Sequence, residues 1–278
     1  MRTIRLTALA TMVILTAAGA FAQGGQGWGG GGKGDCAKLD GLPAGTLSEA
    51  EKAGLLFTRE EEKLARDVYT ALYETWEAPI FLHIAGSEQR HMDAVKALLD
   101  RYALTDPVGA NPAGVFTDAA LQELYDDLVL KGKLTPVDGL AVGATIEDLD
   151  LRDVMKLVDE SDNVDLDTVY SNLARGSRNH LRAFVGELTA LGATYTPQYI
   201  DAALYEQIVS TPRERGPVDA NGKPVGGGPG CGGCGGCGGQ GQGGSGHGTC
   251  DGTGQGSGQG SSGQNGNGSG SGSGNGKP

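Results

Sequence analysis

The segment Ile84-Ala85-Gly86-Ser87-Glu88-Gln89-Arg90-His91-Met92-Asp93-Ala94-Val95-Lys96-Ala97-Leu98-Leu99-Asp100-Arg101-Tyr102 carries its apolar residues at a helical period. Ile84, Glu88, His91, Val95, Leu98 and Tyr102 are spaced four, three, four, three and four, which aligns them along one seam of a helix. The seam is apolar except for a carboxylate and an imidazole, about 60° apart around the axis. An ionised carboxylate on a buried seam is costly unless it is paired or metal-bound. Glu88 and His91 therefore need partners from elsewhere in the chain.

Working outward, the same period runs from Leu47 to Gln207 without strand-type alternation, which predicts an all-helical domain. A first helix is expected from a Ser48 cap to about Trp76, and Pro79 opens a second that runs to about Leu104. The two form an antiparallel hairpin. After a Pro/Gly/Asn loop from Asp106 to Gly114, a shorter helix is expected over 118–130. Thr135-Pro136 then opens another to about Leu149, with a brief helix near 152–158. Asp162 or Asn163 caps a last long helix to about Leu191, before Gly192 and Pro197. Four major and two minor helices suggest a bundle.

The seams of the other long helices repeat the anomaly. Leu55, Glu62, Ala65, Tyr69, Leu72 and Trp76 share one face of the first helix. Leu140, Gly143 or Ala144, Glu147, Asp150 and Val154 form another inner stripe, and Tyr170, Leu173, Ser177, His180 and Phe184 a third. Four helices thus each place oxygen or nitrogen ligands on an apolar seam, the pattern of a bundle-core metal site. Glu60 and Glu61 read as a solvated charge run continuing into Lys63 and Arg66, with Glu61 held in reserve as a ligand. Asp148 and Asp153 read as solvated. Tyr69 and His83 read as packing or surface residues, and Arg66, Arg90 and Arg178 as members of surface salt bridges.

The ends of the chain have a different composition. Of 50 glycines, 27 lie in Gly226–Pro278 and eight in Gly24–Gly34, so residues 23–45 are expected to be a Gly-rich linker and 211–278 a disordered Gly/Ser/Cys-rich tail around a domain at 46–210. Met1 to Arg5 followed by an apolar run to Ala20 and Ala20-Phe21-Ala22 matches a signal peptide cleaved after Ala22. A membrane anchor is the rival reading, but the run is shorter than the roughly 20 apolar residues a span needs. A periplasmic or secreted protein without a stable span is expected. Cys231, Cys234 and Cys237 have the spacing of a thiolate metal clip, while their glycine surroundings fit disulfides or cross-links equally. With Cys36 and Cys250 the count is odd, which permits an intermolecular disulfide partner. Residues 35–225 hold 18 of 22 Lys/Arg and 33 of 34 Asp/Glu, a net −15 against −12 for the whole chain. That balance excludes nucleic acid as a natural partner and favours metal ions. His247 lies in the tail and reads as solvated. No nucleotide-binding loop or nucleophile triad is present.

These residues carry a resemblance. Glu62-Lys63-Leu64-Ala65-Arg66-Asp67-Val68-Tyr69 resembles the first-helix segment of rubrerythrin-type ferritin-like proteins, and Glu88-Gln89-Arg90-His91 their second-helix Glu-x-x-His. Glu147 with Asp150 is similar to the third-helix acids, and His180 to the fourth-helix histidine. More closely, these segments with Arg175-Gly176-Ser177-Arg178-Asn179-His180-Leu181 resemble domain of unknown function 2202, a ferritin-like family, over roughly residues 47–208. The resemblance implies a ferritin-like four-helix bundle holding a di-metal carboxylate site. Glu62, Glu88 and His91 would hold one ion, and Glu147, His180 and Asp150 the other, with Glu88 open to sharing. Iron is the implied metal, with mixed Fe/Zn or Mn as alternatives, and ferrous-iron oxidation or peroxide or oxygen reduction the implied chemistry. One departure matters: Ser177 stands where a fourth-helix Glu is expected, which leaves the second position short of a carboxylate. The rival expectations are a non-catalytic periplasmic metal-binding or sensor module and a metal-free structural or surface-interaction domain. A homo-oligomer is also left open.

Overall fold

The computed structural model describes Leu39 and residues 41–225; the expected signal peptide, most of the expected linker, the expected tail from 226 onward, all five cysteines and His247 lie outside the described residues, while 211–225, expected as part of a disordered tail, are described. The described chain is all-helical, as expected, with one isolated bridge between Val218 and Pro224. The helices are α1 (Glu49–Trp76), α2 (Pro79–Arg101), α3 (Ala119–Gly132), α4 (Pro136–Glu160), α5 (Val164–Ala190) and α6 (Ala202–Ser210). None of them is long and apolar enough to cross a membrane.

Local chemistry sets most boundaries. Ser48 and Glu51 form a reciprocal capping box at α1, Asp118 caps α3 through the N–H groups of Ala120 and Leu121, and Thr135 caps α4 ahead of Pro136. Glu77 closes α1 in the left-handed conformation, and Pro79 starts α2 two residues later. That short link makes α1 and α2 an antiparallel hairpin. α2 stops at Arg101, three residues before the expected end, because Ala103 turns left-handed and the next N–H, that of Leu104, returns to the Leu99 carbonyl.

α4 and α5 form the second hairpin across the three-residue link 161–163. The α1/α4 and α2/α5 contacts close four long helices into a bundle, and the crossover between the hairpins carries α3 against α1 and α4. α4 differs from expectation, since one helix replaces the predicted pair with a break near 150. The acidic run Glu147 to Asp153 contains neither Pro nor Gly. Its inward acids meet partners in the bundle, so nothing interrupts the helix. The core is aliphatic with a tilted aromatic cluster of Tyr69, Phe81 and Phe184, whose centroids lie 5.3–6.4 Å apart. Gly143 admits that cluster, for a Cβ there would fall 2.4 Å from the Phe184 ring.

Two expectations of solvated acids are overturned. Arg59, Glu60, Glu61 and Lys63 are all buried, because α1 is covered by the bundle on one side and by the crossover loop on the other. Arg59 pairs with Asp106 at 2.9 Å and donates to the Met92 carbonyl; Glu60 accepts from the Thr117 and Asp118 N–H groups at 2.6 and 2.9 Å. Lys63 donates to Asp67 at 2.5 Å and to the Pro112 carbonyl at 2.9 Å, and sits 4.3 Å above the Phe116 ring. Asp148 is also fully buried. It accepts from the Tyr195 hydroxyl and from the N–H groups of Gln198, Tyr199 and Ile200, pinning the chain that follows α5. Asp153, by contrast, is half-buried and pairs with Arg152.

Beyond α6 the chain runs back along α5. Asn172 exchanges two hydrogen bonds with the backbone of Val218, and Asn179 two with that of Glu214, while Arg178 and Arg182 pair with the Glu214 carboxylate. Two asparagines seven positions apart thus strap an extended segment to one helix face.

Candidate metal centre

Five of the sequence-selected residues converge from four helices. Glu62 of α1, Glu88 and His91 of α2, Glu147 of α4 and His180 of α5 form two groups, Glu62/Glu88/His91 and Glu88/Glu147/His180, within each of which the ligand atoms lie no more than 4.8 Å apart. Glu88 belongs to both. One of its oxygens lies 2.7 Å from His91 Nδ1 and the other 2.8 Å from His180 Nδ1. His91 Nδ1 is also 3.2 Å from Glu62, and His180 Nδ1 3.4 Å from Glu147. The two imidazoles stack with centroids 5.5 Å apart.

The i, i+3 spacing on α2 puts both its ligands on the bundle side, and Glu62, Glu147 and His180 occupy the same level of their own seams. Supporting groups set orientation. The His180 Nε2 lies 3.0 Å from the Ser87 hydroxyl, which turns Nδ1 toward the acids. The Tyr69 hydroxyl donates to Glu147 at 2.6 Å, a contact the packing role assigned from the sequence does not include. Asp150 sits beside both groups without joining either. One of its oxygens accepts from the Ser177 hydroxyl, so the serine in place of a fourth-helix Glu holds an acid on the neighbouring helix.

The electrostatics follow from crowding charge in a dry place. Burial pushes the Glu62 carboxyl up to about 7 despite the opposing His91. Burial also favours neutral Glu88, but His180 and then His91 outweigh it and hold that carboxyl below the ordinary range. Burial would lower both imidazoles; Glu88 and Glu62 instead raise His91 well above its usual value, and Glu88 and Glu147 raise His180 to about 9. Asp150 is raised well above a normal Asp, by burial first and then by Glu62 and Glu147. Protonated imidazoles thus stand where cationic charge is needed.

The donor set fits a metal. Among the described residues, Glu62 Oε1, Glu88 Oε1, Asp150 Oδ1 and His180 Nδ1 are buried without a hydrogen-bond partner. His180 Nδ1 and Glu88 Oε1 are close but misaligned for a hydrogen bond. Unsatisfied buried donors and acceptors on α1, α2, α4 and α5 at one level are the expected signature of ligands directed at a common cation. Carboxylates with imidazoles suit Fe, Mn or Zn. Glu61, held in reserve from the sequence, is 4% exposed with both oxygens unpartnered, and it joins neither group. Of the surface arginines, Arg66 pairs with Asp67 and donates to Gln89, and Arg178 pairs with Glu214.

Sequence periodicity gave no reason to single out Gly176. A Cβ at this α5 position would meet His91 Nε2 at 2.4 Å, so the missing side chain is what lets the imidazole lie against the helix. Gly176→Ala should strain the packing by about 1–3 kcal/mol. The ring must also shift, so if the two groups hold a cation its affinity is expected to fall about ten-fold while helicity measured by circular dichroism is retained. Wild-type affinity in a folded Gly176→Ala protein would show that the ring does not need this approach.

The sequence model of the family described as "Uncharacterized protein domain (DUF2202)" matches residues 51–212. The uncharacterized protein MJ0754 of Methanocaldococcus jannaschii is 54% identical over 178 residues, 64% of this chain and 96% of that protein. A crystal structure of hypothetical protein MJ0754 from Methanococcus jannaschii aligns with TM-score 0.62 at 54% identity, covering 62% of this chain and 99% of that one.

Proposed function

The chain belongs to the uncharacterized DUF2202 domain family, and we propose that it is an exported, ferritin-like iron protein that oxidises ferrous iron or reduces peroxide or dioxygen at the centre between its four long helices. The observation that carries this reading is the sharing of Glu88 between two carboxylate/imidazole groups, each complete enough to hold one ion. Glu62, Glu88 and His91 would hold the first ion, and Glu88, Glu147 and His180 the second. A redox-active pair of ions supplies the electron chemistry when bound.

The chain's own residues do the rest. Glu88 offers one oxygen to each side, so a single carboxylate sets the relation between the two positions. Tyr69 holds Glu147 in one rotamer by its hydroxyl, and Ser87 fixes the His180 ring. The carboxylates are buried to within 1–2% of their side-chain surface, whereas His91 and His180 are 12% and 11% exposed, so small molecules reach the centre from the imidazole side. The apolar walls above and below exclude bulk water and strengthen every charge interaction inside. Asp150, held by Ser177, is a further buried acid beside the two groups.

The test is to mix metal-free protein with excess ferrous iron in air. Catalysis predicts oxidation of many ferrous ions per chain above the protein-free rate. Uptake of about two ions without turnover would leave a metal-binding module, the reading that the missing fourth-helix carboxylate favours. Neither uptake nor oxidation would overturn the proposal.

A further inference from the structure

The imidazole side of the centre opens into a cavity of about 60 Å³ between α2, α5 and the strap that follows α6. Its lining includes His91 and His180 with Ser87, Arg90, Arg175 and Arg213. Arginines from three separate segments line one small space, and no carboxylate is among the lining residues. In a chain of net charge −12 this is a local concentration of basic side chains, with the Glu62 and Glu88 carboxylates behind the imidazoles. Each water-sized occupant needs roughly 10–15 Å³ of such volume, so the cavity accommodates a group the size of a tetrahedral oxyanion.

The architecture keeps the cations there. Arg175 is one turn before Asn179 on α5 and only 8% exposed. Arg213 is carried by the strap, where the next residue, Glu214, is clamped to Asn179 through both backbone groups and to Arg178 and Arg182 through its carboxylate. A planar guanidinium presents five N–H donors in a fork that matches an oxyanion, so it can take a guest in addition to its contacts within the protein.

We propose that this cavity is an anion-binding vestibule, taking one small oxyanion of phosphate size above His91 and His180. Its role as the seat of an anionic reactant or regulator of the centre rests on the metal reading; the binding itself rests on the cavity. The field of the three arginines draws an anion to a centre that the rest of the acidic surface would repel.

The experiment is calorimetric titration of the full-length protein, as purified, with inorganic phosphate at low ionic strength, with metal content measured on each sample. One saturable phosphate per chain is expected. Arg213→Gln and Arg175→Gln should each weaken it about ten-fold or more, and the surface control Lys96→Gln should leave it unchanged. Arg213 is exposed, so its variant tests the site even if Arg175→Gln fails to fold. Absence of saturable binding, an equal effect of Lys96→Gln, or unchanged affinity in Arg213→Gln would overturn the vestibule. Glu88→Gln separates it from the metal reading. Phosphate binding that survives loss of metal supports the vestibule, whereas binding that vanishes with the metal yet persists in both arginine variants places the anion on the ion and overturns it. Arginine-dependent binding in protein that never holds metal would refute the metal reading and leave the vestibule standing.

Discussion

On the proposed two-ion reading, Glu88→Gln should weaken cation binding by at least roughly 100-fold at each position while the helical fold is kept. Removal of a group that merely orients a ligand commonly costs 10–100-fold, and Glu88 is placed to be a ligand to both ions. It is the one residue common to the two groups, with an oxygen 2.7 Å from His91 and another 2.8 Å from His180. Glutamine preserves the shape but removes the negative charge and replaces one acceptor with a donor, so one of the two positions faces an N–H. Glu62→Gln and Glu147→Gln make the contrast, since each belongs to one group and should weaken one ion. Cobalt or ferrous titration with elemental analysis reads all three variants. Full loading of Glu88→Gln at wild-type affinity would refute the shared-ligand assignment.

Asp67→Ala should produce the largest loss of stability, about 3–5 kcal/mol. Lys63 is fully buried, and among the described residues Asp67 is its only carboxylate partner, at 2.5 Å. With Asp67 gone, among the described residues the buried ammonium keeps the Pro112 carbonyl and the Phe116 ring. The Gly114 N–H and Arg66 lose an acceptor as well. The exposed pair Lys96–Asp100 sets the scale: its side chains are 44% and 64% exposed, and breaking it should change stability by less than about 1 kcal/mol. Paired denaturant melts of Asp67→Ala and Asp100→Ala measure the difference. Equal effects would mean that the crossover loop opens to hydrate Lys63 at little cost. Replacing Lys63 and Asp67 together with apolar residues should recover much of the loss, because the damage comes from the stranded charge.

The two variants divide the motif around Glu62 into its two jobs. Glu62 faces the bundle centre, one position from Lys63, which faces the crossover loop. Read as a heptad, α1 shows only one apolar stripe, so Glu60, Glu61 and Lys63 look solvated. Glu60 and Lys63 are buried because a loop some 50 residues further along the chain supplies N–H and C=O partners for them, whereas Glu61 is buried with both oxygens unpartnered. The same blindness affects Asp148, whose partners Tyr195 to Ile200 lie about 50 residues away, and Gly176, whose role depends on a ring from another helix.

Helix limits and the inward seams were legible from residue order because caps, prolines and the 3.6-residue period act over a few neighbouring positions. Ser48, Asp118 and Thr135 cap where local chemistry says they should, and Glu62, Glu88, His91, Glu147 and His180 all lie on the faces that their spacing assigns. Which of those groups share an oxygen, that Asp150 turns to Ser177, and that three arginines gather over two imidazoles came only from packing the helices against one another. Periodicity sets the direction in which a side chain leaves its own helix. The distance to a group on another helix depends on how the hairpins cross and on where the loops return, and no short window of residues encodes that.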